Sequence, residues 1–474
     1  MTTDLGALLP EIILMVGAVV VLLGGSFLPM RRQWVMLWLA VLVSVGSAAA
    51  AVVIGGGAPR LVFSGTYAID GATTTVRVVA PLATATVILL SRGATRGTPR
   101  ESETGALLLL ATLGTVVLGG AHDLLLFATG FLLATVPLYA LIGLGGTRRA
   151  AEAALKTYLL AAVFGVAMLG GIAVLTGVAG VTTLAGLHDA LGDAPRSAVA
   201  VGFVGVLVGL LFKAGAVPGH FWVPDAAQGA GVGVAAFITT VPKLGAVIAM
   251  ARLVAVLPDS VPGGLLVGLF AAGSMLLGTL AAFWQRDARR LLGWSTVAQT
   301  GFLLIPVAVI ARRPDALGAL LLYMACYAAT NLAVFAVVAA MPARQGLPAW
   351  RGVGRRHPAL TGVLVVGLLS LVGTPPTLVF AGKVAVFAAG WSGGAAWLVI
   401  VAALVSVASL FYSLRWIAPT VRRDASALGT APVAPVAPVA PVAPGPATTA
   451  VVLGVVVLVA AAALPLVVAT PQLV

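Results

Sequence analysis

Apolar runs long enough to span a bilayer, separated by short polar steps, fill this chain from end to end. They fall near 8–30, 34–56, 73–91, 104–121, 123–145, 154–178, 198–219, 229–257, 262–284, 291–311, 316–341, 359–390, 393–417 and 448–470. Hydrocarbon offers the backbone no partners, so each run must satisfy its own amides and carbonyls. The pattern predicts an all-α polytopic membrane protein of about 14 transmembrane helices. Ahead of the last run stands a low-complexity stretch, Ala431–Pro446, with the sequence APVAPVAPVAPVAPGP. A proline at every third residue forbids helix there and predicts a stiff polyproline II spacer.

Composition agrees with the pattern: 61% of residues are hydrophobic and only 9% charged, too few to cover a water-soluble surface. The net charge of +13 does not describe a nucleic-acid stripe, because the cations are scattered singly and in pairs between apolar runs. They follow instead the asymmetry that sets membrane topology. Loops after odd-numbered segments carry Arg31 and Arg32, then Arg92, Arg96 and Arg100, then Arg148 and Arg149. The same set continues with Arg286, Arg289 and Arg290, with Arg344, Arg351, Arg355 and Arg356, and with Arg422 and Arg423. Loops after even-numbered segments carry chiefly Arg60, Arg196, Arg312 and Arg313. The asymmetry places the first set in the cytoplasm and both termini outside. The single Cys326 excludes an intrachain disulfide, and no metal or iron–sulfur site is encoded. No Gly-rich nucleotide fingerprint follows a strand signal, and only Asp4 precedes the first run, so it lacks the basic start of a cleaved signal peptide.

Of the 27 Lys and Arg residues only four are lysines: Lys156, Lys213, Lys243 and Lys383. All four lie in or at the edge of apolar segments, while every loop cation is Arg. An ammonium can give up its proton in a desolvated site and a guanidinium effectively cannot. Lysine is thus placed where proton transfer is chemically open. Lys213 sits at the end of the uncharged stretch 198–212, where a lysine at membrane depth costs about 2.5–3.5 kcal/mol. Pro218 then interrupts the helix, and His220 follows seven residues after the lysine. An amine, an imidazole and a broken helix in one segment suggest proton handling; a histidine satisfied by a carbonyl is the plainer reading of His220. Lys243 follows Pro242 about 21 Å from either end of its run, which argues against snorkelling to an interface. Lys383 follows the break Gly373-Thr374-Pro375-Pro376. Lys156 has Glu152 one turn earlier, so an interfacial ion pair explains it as well as proton transfer does. The two interrupted segments, 7 and 12, lie five apart, and a repeat of odd length must invert in the membrane.

Several stretches resemble a known family. They are LLPEIILMVG at 8–17, YAIDG at 67–71, TVPLYALIGL at 135–144, EAALKTYLL at 152–160 and FKAGAVPGHFWVPDAAQG at 212–229. RRLLGWSTVAQTGFLL at 289–304 and GTPPTLVFAGK at 373–383 complete the set. Over nearly its whole length the chain resembles subunit N of the proton-pumping NADH–quinone oxidoreductase, respiratory complex I, an antiporter-like membrane subunit. The resemblance implies three N-terminal helices over 1–100 and two inverted five-helix repeats, with broken helices 7 and 12, over 101–257 and 258–417. A linker at 418–447 and a last helix at 448–474 follow. It implies that Lys213 is the family's central lysine, Lys243 its connecting lysine, Lys383 its exit-side lysine and Lys156 its segment-6 lysine, with His220 the histidine of the segment-7 motif. NAD, FMN, iron–sulfur clusters and quinone are implied for partner subunits, other membrane subunits of the complex as neighbours, and the bacterial cell membrane as location.

One position departs from the family. There a glutamate lies five residues before the proline of the segment-5 motif and pairs with the central lysine. Counting back from Pro137 gives Leu132, and no acidic residue lies deep in any segment. Asp123 is nine residues, roughly 13 Å, away. Proton pumping by this subunit is therefore open to impairment. Two alternatives remain: a subunit of a multi-subunit cation/proton antiporter, and a structural paralogue that moves no protons.

Overall fold

The computed structural model describes residues 2–98, 100–422, 442–449 and 451–453. A short helix, Thr2–Ala7, precedes α1 (Leu9–Phe27) and α2 (Trp34–Gly55), and a hairpin of β1 (Arg60–Val62) and β2 (Tyr67–Ile69) follows. Then come α3 (Gly71–Thr95), α4 (Glu101–Gly120), α5 (Leu124–Gly143), α6 (Arg148–Ala179) and α7 (Arg196–Ala214). A short α8 (Trp222–Gly229) leads into α9 (Val232–Thr240) and α10 (Pro242–Ala255). After these come α11 (Gly263–Phe283), α12 (Ala288–Val309) and α13 (Ala316–Ala340), then short helical turns at Leu347–Trp350 and Val353–Arg356, then α14 (Pro358–Val372), α15 (Leu378–Ser392) and α16 (Ala396–Val421). The protein is a mostly helical membrane protein. Among the described residues 12 helical stretches are long and apolar enough to cross a membrane, and α14 and α15 are apolar but shorter.

Each of the first thirteen predicted runs lies over one of these helices or over a pair of them. The fourteenth, with most of the Ala/Pro spacer before it, falls largely outside the described residues. Local chemistry sets several boundaries. Asp70, Asp123 and Asp287 each turn a carboxylate onto the first free amides of α3, α5 and α12. Thr147 caps α6 in the same way, and α6 closes on Gly180 at φ +70. The single run 229–257 forms two helices, because Pro242 offers no amide to carry the ladder across Val241. Run 198–219 is helical only to Ala214, where Gly215 takes φ +75 and closes the end.

The hairpin is an addition to the helical pattern. β1 and β2 pair antiparallel, with Arg60 opposite Ile69 and Val62 opposite Tyr67. Beneath it lie two buried ion pairs that fasten helix ends. Arg77 donates through Nε to Glu11 at 2.7 Å, and the Tyr67 hydroxyl donates to the same carboxylate at 2.6 Å. Arg252, at the end of α10, pairs with Asp70 at 2.8 Å and donates to the Thr73 hydroxyl at 2.9 Å. Glu11 and Asp70 are thus buried at helix ends, although neither lies deep along a segment. His122, in the turn between α4 and α5, is held below its ordinary range by burial and by the nearby Arg252.

Burial separates an inner from an outer set of helices. In the most apolar window of Val232–Ala255, 94% of residues are buried, against 33% in α6 and 39% in α1 and α16. Helices α9, α10, α12 and α13 form the interior, and α1, α2, α6 and α16 turn apolar side chains outward. Three of the four lysines sit at this interior.

A buried lysine axis as the candidate functional site

Lys213 lies in the last turn of α7 and is 1% exposed. Its ammonium donates to the Thr135 hydroxyl of α5 at 3.0 Å, and Thr135 donates in turn to the Phe131 carbonyl. Phe212 next to it packs among Phe131, Phe164 and Trp222, and the Trp222 indole donates to the Phe212 carbonyl at 3.0 Å. Leu132, the position the family gives to glutamate, is 50% exposed. The amine is therefore met by a neutral hydroxyl one turn further along α5. His220 is buried in the interruption between α7 and α8, with its ring 4.1 Å from that of Phe221 and 5.6 Å from Trp294.

Lys243 stands in the first turn of α10 and is also 1% exposed, so it does not snorkel. Its ammonium donates to the Thr239 carbonyl at the end of α9 and lies 5.4 Å from the centre of the Tyr327 ring. The Tyr327 hydroxyl donates to the same carbonyl at 2.6 Å and lies 3.0 Å from the Thr296 hydroxyl. Asn331 donates to the hydroxyls of Thr239 and Thr240 at 2.9 and 2.8 Å.

Lys383, on α15, is 4% exposed. It donates to the carbonyl of Val372, the last residue of α14, at 2.8 Å, and to the Ser406 hydroxyl at 2.9 Å. Its ammonium lies 4.0 Å from the centre of the Phe302 ring, a distance at which a cation is attracted to the ring face. No carboxylate pairs with Lys213, Lys243 or Lys383 among the described residues.

One helix reaches all three lysine sites. From α12, Thr300 donates to the Ala214 carbonyl beside Lys213 at 3.2 Å, and Thr296 meets Tyr327 beside Lys243. Gln299 donates to the Leu371 carbonyl at 2.7 Å, next to the carbonyl that holds Lys383, and accepts from the Tyr323 hydroxyl. Hydroxyls and an amide from α12 and α13 thus lie between the lysines.

Lys156 is placed differently. It is 49% exposed and pairs with Glu152 at 2.7 Å and Asp225 at 3.1 Å, and Arg290 takes the other oxygen of Asp225. These residues line a cleft of about 260 Å³ at the Arg-rich ends of α6, α8 and α12. Of the five residues expected to carry protons, the structure buries four and leaves Lys156 in a surface ion-pair network. Among the described residues no group of three His, Cys, Asp or Glu side chains could hold a metal ion.

The family model described as NADH:quinone oxidoreductase/Mrp antiporter, TM, matches residues 121–411. A relative from Mycobacterium sp. (strain JLS), named NADH-quinone oxidoreductase subunit N, is 46% identical over 413 residues, 87% of this chain and 88% of its own length. The chain belongs to the subunit N family. A second subunit N relative, from Streptomyces griseus, is 46% identical over 434 residues, covering 91% of this chain and 92% of its own. Among solved structures, a chain of respiratory complex I from Thermus thermophilus with bound aureothin superposes with a TM-score of 0.79 at 28% identity. That match covers 97% of this chain and 98% of the other. A chain of the Mrp complex from Dietzia sp. DQ12-45-1b superposes at 0.83 with 23% identity, covering 98% and 96%, which shows a shared fold. These neighbours come from complexes with several membrane subunits.

Within this subunit N chain, sequence reasoning singled out the lysines and missed what touches them: Thr135, Thr239, Thr296, Gln299, Tyr323, Tyr327, Asn331 and Ser406. A signal was present for two of them. Gln299 and Asn331 are amides in the middle of apolar runs, where a polar side chain needs an interior partner. The hydroxyl residues carried none, since Ser and Thr can bond back to their own helix.

Proposed function

We propose that this chain is a membrane-arm subunit of a bacterial NADH–quinone oxidoreductase that takes part in coupling electron transfer to proton translocation. The supporting observation is the row of three buried lysines, without carboxylate partners among the described residues and bridged by side chains of α12. NADH oxidation and quinone reduction belong to partner subunits, which hold the flavin, iron–sulfur clusters and quinone. In this chain the chemistry is proton transfer alone. Each ammonium can pass a proton to an adjacent hydroxyl or to water, and each neutral amine can take one back. Around Lys243 and Lys383 the neighbours supply the polar atoms such transfer needs. The two inverted units are 101–257 and 258–417, and both termini face away from the cytoplasm.

Lys213 is the weak member of the row. Desolvation penalises its charged form, and a hydroxyl opposes that penalty less than a carboxylate does. The charge on Lys213 is therefore little able to switch, and the first unit pumps weakly, while Lys243 and Lys383 keep lateral coupling. A non-pumping role for the first unit is favoured by the same observation, Leu132. The antiporter alternative is less well supported, because relatives 46% identical over most of their length carry the subunit N name. The test of the main reading is Lys243→Ala in the assembled complex. Coupled proton transfer is expected to drop on the order of a hundredfold, the usual scale for loss of a transfer group, with assembly retained. Unchanged translocation would make Lys243 a structural lysine.

A further inference from the structure

The interruption of α7 leaves backbone groups without partners in the helix, and two of them are taken up by side chains from later helices. The first turn beyond the helix is closed locally: the Ala216 amide donates to the Leu211 carbonyl at 2.9 Å and the Gly215 amide to the Phe212 carbonyl at 3.0 Å. The Ala214 carbonyl accepts from the Thr300 hydroxyl of α12 at 3.2 Å. The Val217 amide donates to the Ser274 hydroxyl of α11 at 2.9 Å, and that hydroxyl donates to the Phe270 carbonyl at 2.7 Å. Ser274 and Thr300 are both fully buried. Helix α12 also presses on the far side of the break: a Cβ on Gly293 would stand 2.8 Å from the Pro224 Cα, and Trp294 covers His220.

We propose that Ser274 and Thr300 are positioning residues for Lys213. They hold the two ends of the interruption against α11 and α12 and so fix where the ammonium stands relative to α5. An amide or carbonyl freed in an apolar interior must find a partner, and few alternatives exist at this depth. Lys213 directly precedes Ala214, so a shift of the Thr300 contact moves the lysine away from Thr135. The second interruption is built the other way, since Lys383 itself takes the freed Val372 carbonyl. The break beside Lys213 is therefore held by helices of the second unit, whereas at the second break the lysine itself takes the freed carbonyl, with Ser406 of α16 as its other partner. This role rests on the reading of Lys213 as a weak proton carrier.

The test uses the intact complex and two readouts. Amide exchange is followed over 213–221, with 373–383 as internal reference. Protons per electron pair are measured in vesicles carrying Leu132→Glu, where the proposed function expects a gain. Ser274→Ala should speed exchange of the Val217 amide on the order of tenfold, leaving the reference unchanged. Ser274→Ala and Thr300→Val should each remove the Leu132→Glu gain, and Thr300→Ser should keep it. Unchanged exchange at Val217 overturns the fastening, and faster exchange with the gain intact overturns the positioning role. If Leu132→Glu alone gives no gain, the functional reading fails, and the exchange readout still decides whether Ser274 holds the break.

Discussion

Lys213 and Lys383 occupy matching places beside interrupted helices and are held in opposite ways. Lys383 bonds the carbonyl at its own break, reaches Ser406, and lies against the Phe302 ring. Among the described residues Lys213 bonds the Thr135 hydroxyl alone, and its break is satisfied by Ser274 and Thr300 instead. One lysine is part of the structure of its interruption; the other is a guest beside it. Similar sequence motifs, a lysine near a proline break, thus yield different chemistry, because the partners come from distant helices.

The largest effect expected from this contrast is on removal of the amines. Lys383→Met strips the Val372 carbonyl and the Ser406 hydroxyl of a charged donor and breaks the lateral row. Coupled proton transfer should fall on the order of a hundredfold. Unfolding stability should fall by about 1–3 kcal/mol for the buried groups left unpaired. Lys213→Met should leave protons per electron pair close to the unmodified value. Equal losses from the two would erase the contrast.

The glycines at the breaks sharpen it. Gly215 and Gly373 both need the left-handed region, at φ +75 and +91, so alanine at either costs roughly 1–2 kcal/mol in thermal unfolding. A Cβ at 373 would stand 2.7 Å from the Lys383 Cδ, whereas one at 215 would meet Val223. Gly373→Ala should therefore depress lateral proton transfer along with stability, and Gly215→Ala should depress stability with a smaller effect on transfer. A smaller change is expected for Gln299→Leu. It leaves the Leu371 carbonyl and the Tyr323 hydroxyl without their partner, at about 1–3 kcal/mol of stability, and disturbs the Lys383 side of the row more than the Lys213 side.

Much of this arrangement was legible in the sequence. Charge is so rare in apolar runs that three lysines stood out as interior residues, and all three are buried. Run length and proline positions located the helices and the interruptions at 215–221 and 373–377. The pairing of Lys156 with Glu152 was readable as a one-turn contact, and its second partner Asp225 was not, because that carboxylate arrives on another helix. The contact between Thr135 and Lys213 spans 78 residues and depends on how α5 faces α7. The bridging role of α12 was hidden for the same reason, although its motif was plain. The hairpin at 60–69 escaped notice because three-residue strands leave almost no periodicity to read.

Lys213 is proposed to lack an effective counter-charge because Leu132 stands where the family resemblance expects a glutamate. Residues three apart on a helix place their Cβ atoms about 5–6 Å apart, so a glutamate at 132 would stand one turn from the Thr135 hydroxyl that the amine bonds. The direct measurement is protons moved per electron pair in vesicles holding the Leu132→Glu complex, beside the unmodified complex and a relative that carries the glutamate. The account predicts a ratio below that relative for the unmodified complex and a rise toward it on Leu132→Glu. An unmodified complex that already equals the relative would contradict it, with Thr135 then sufficient to keep Lys213 in use.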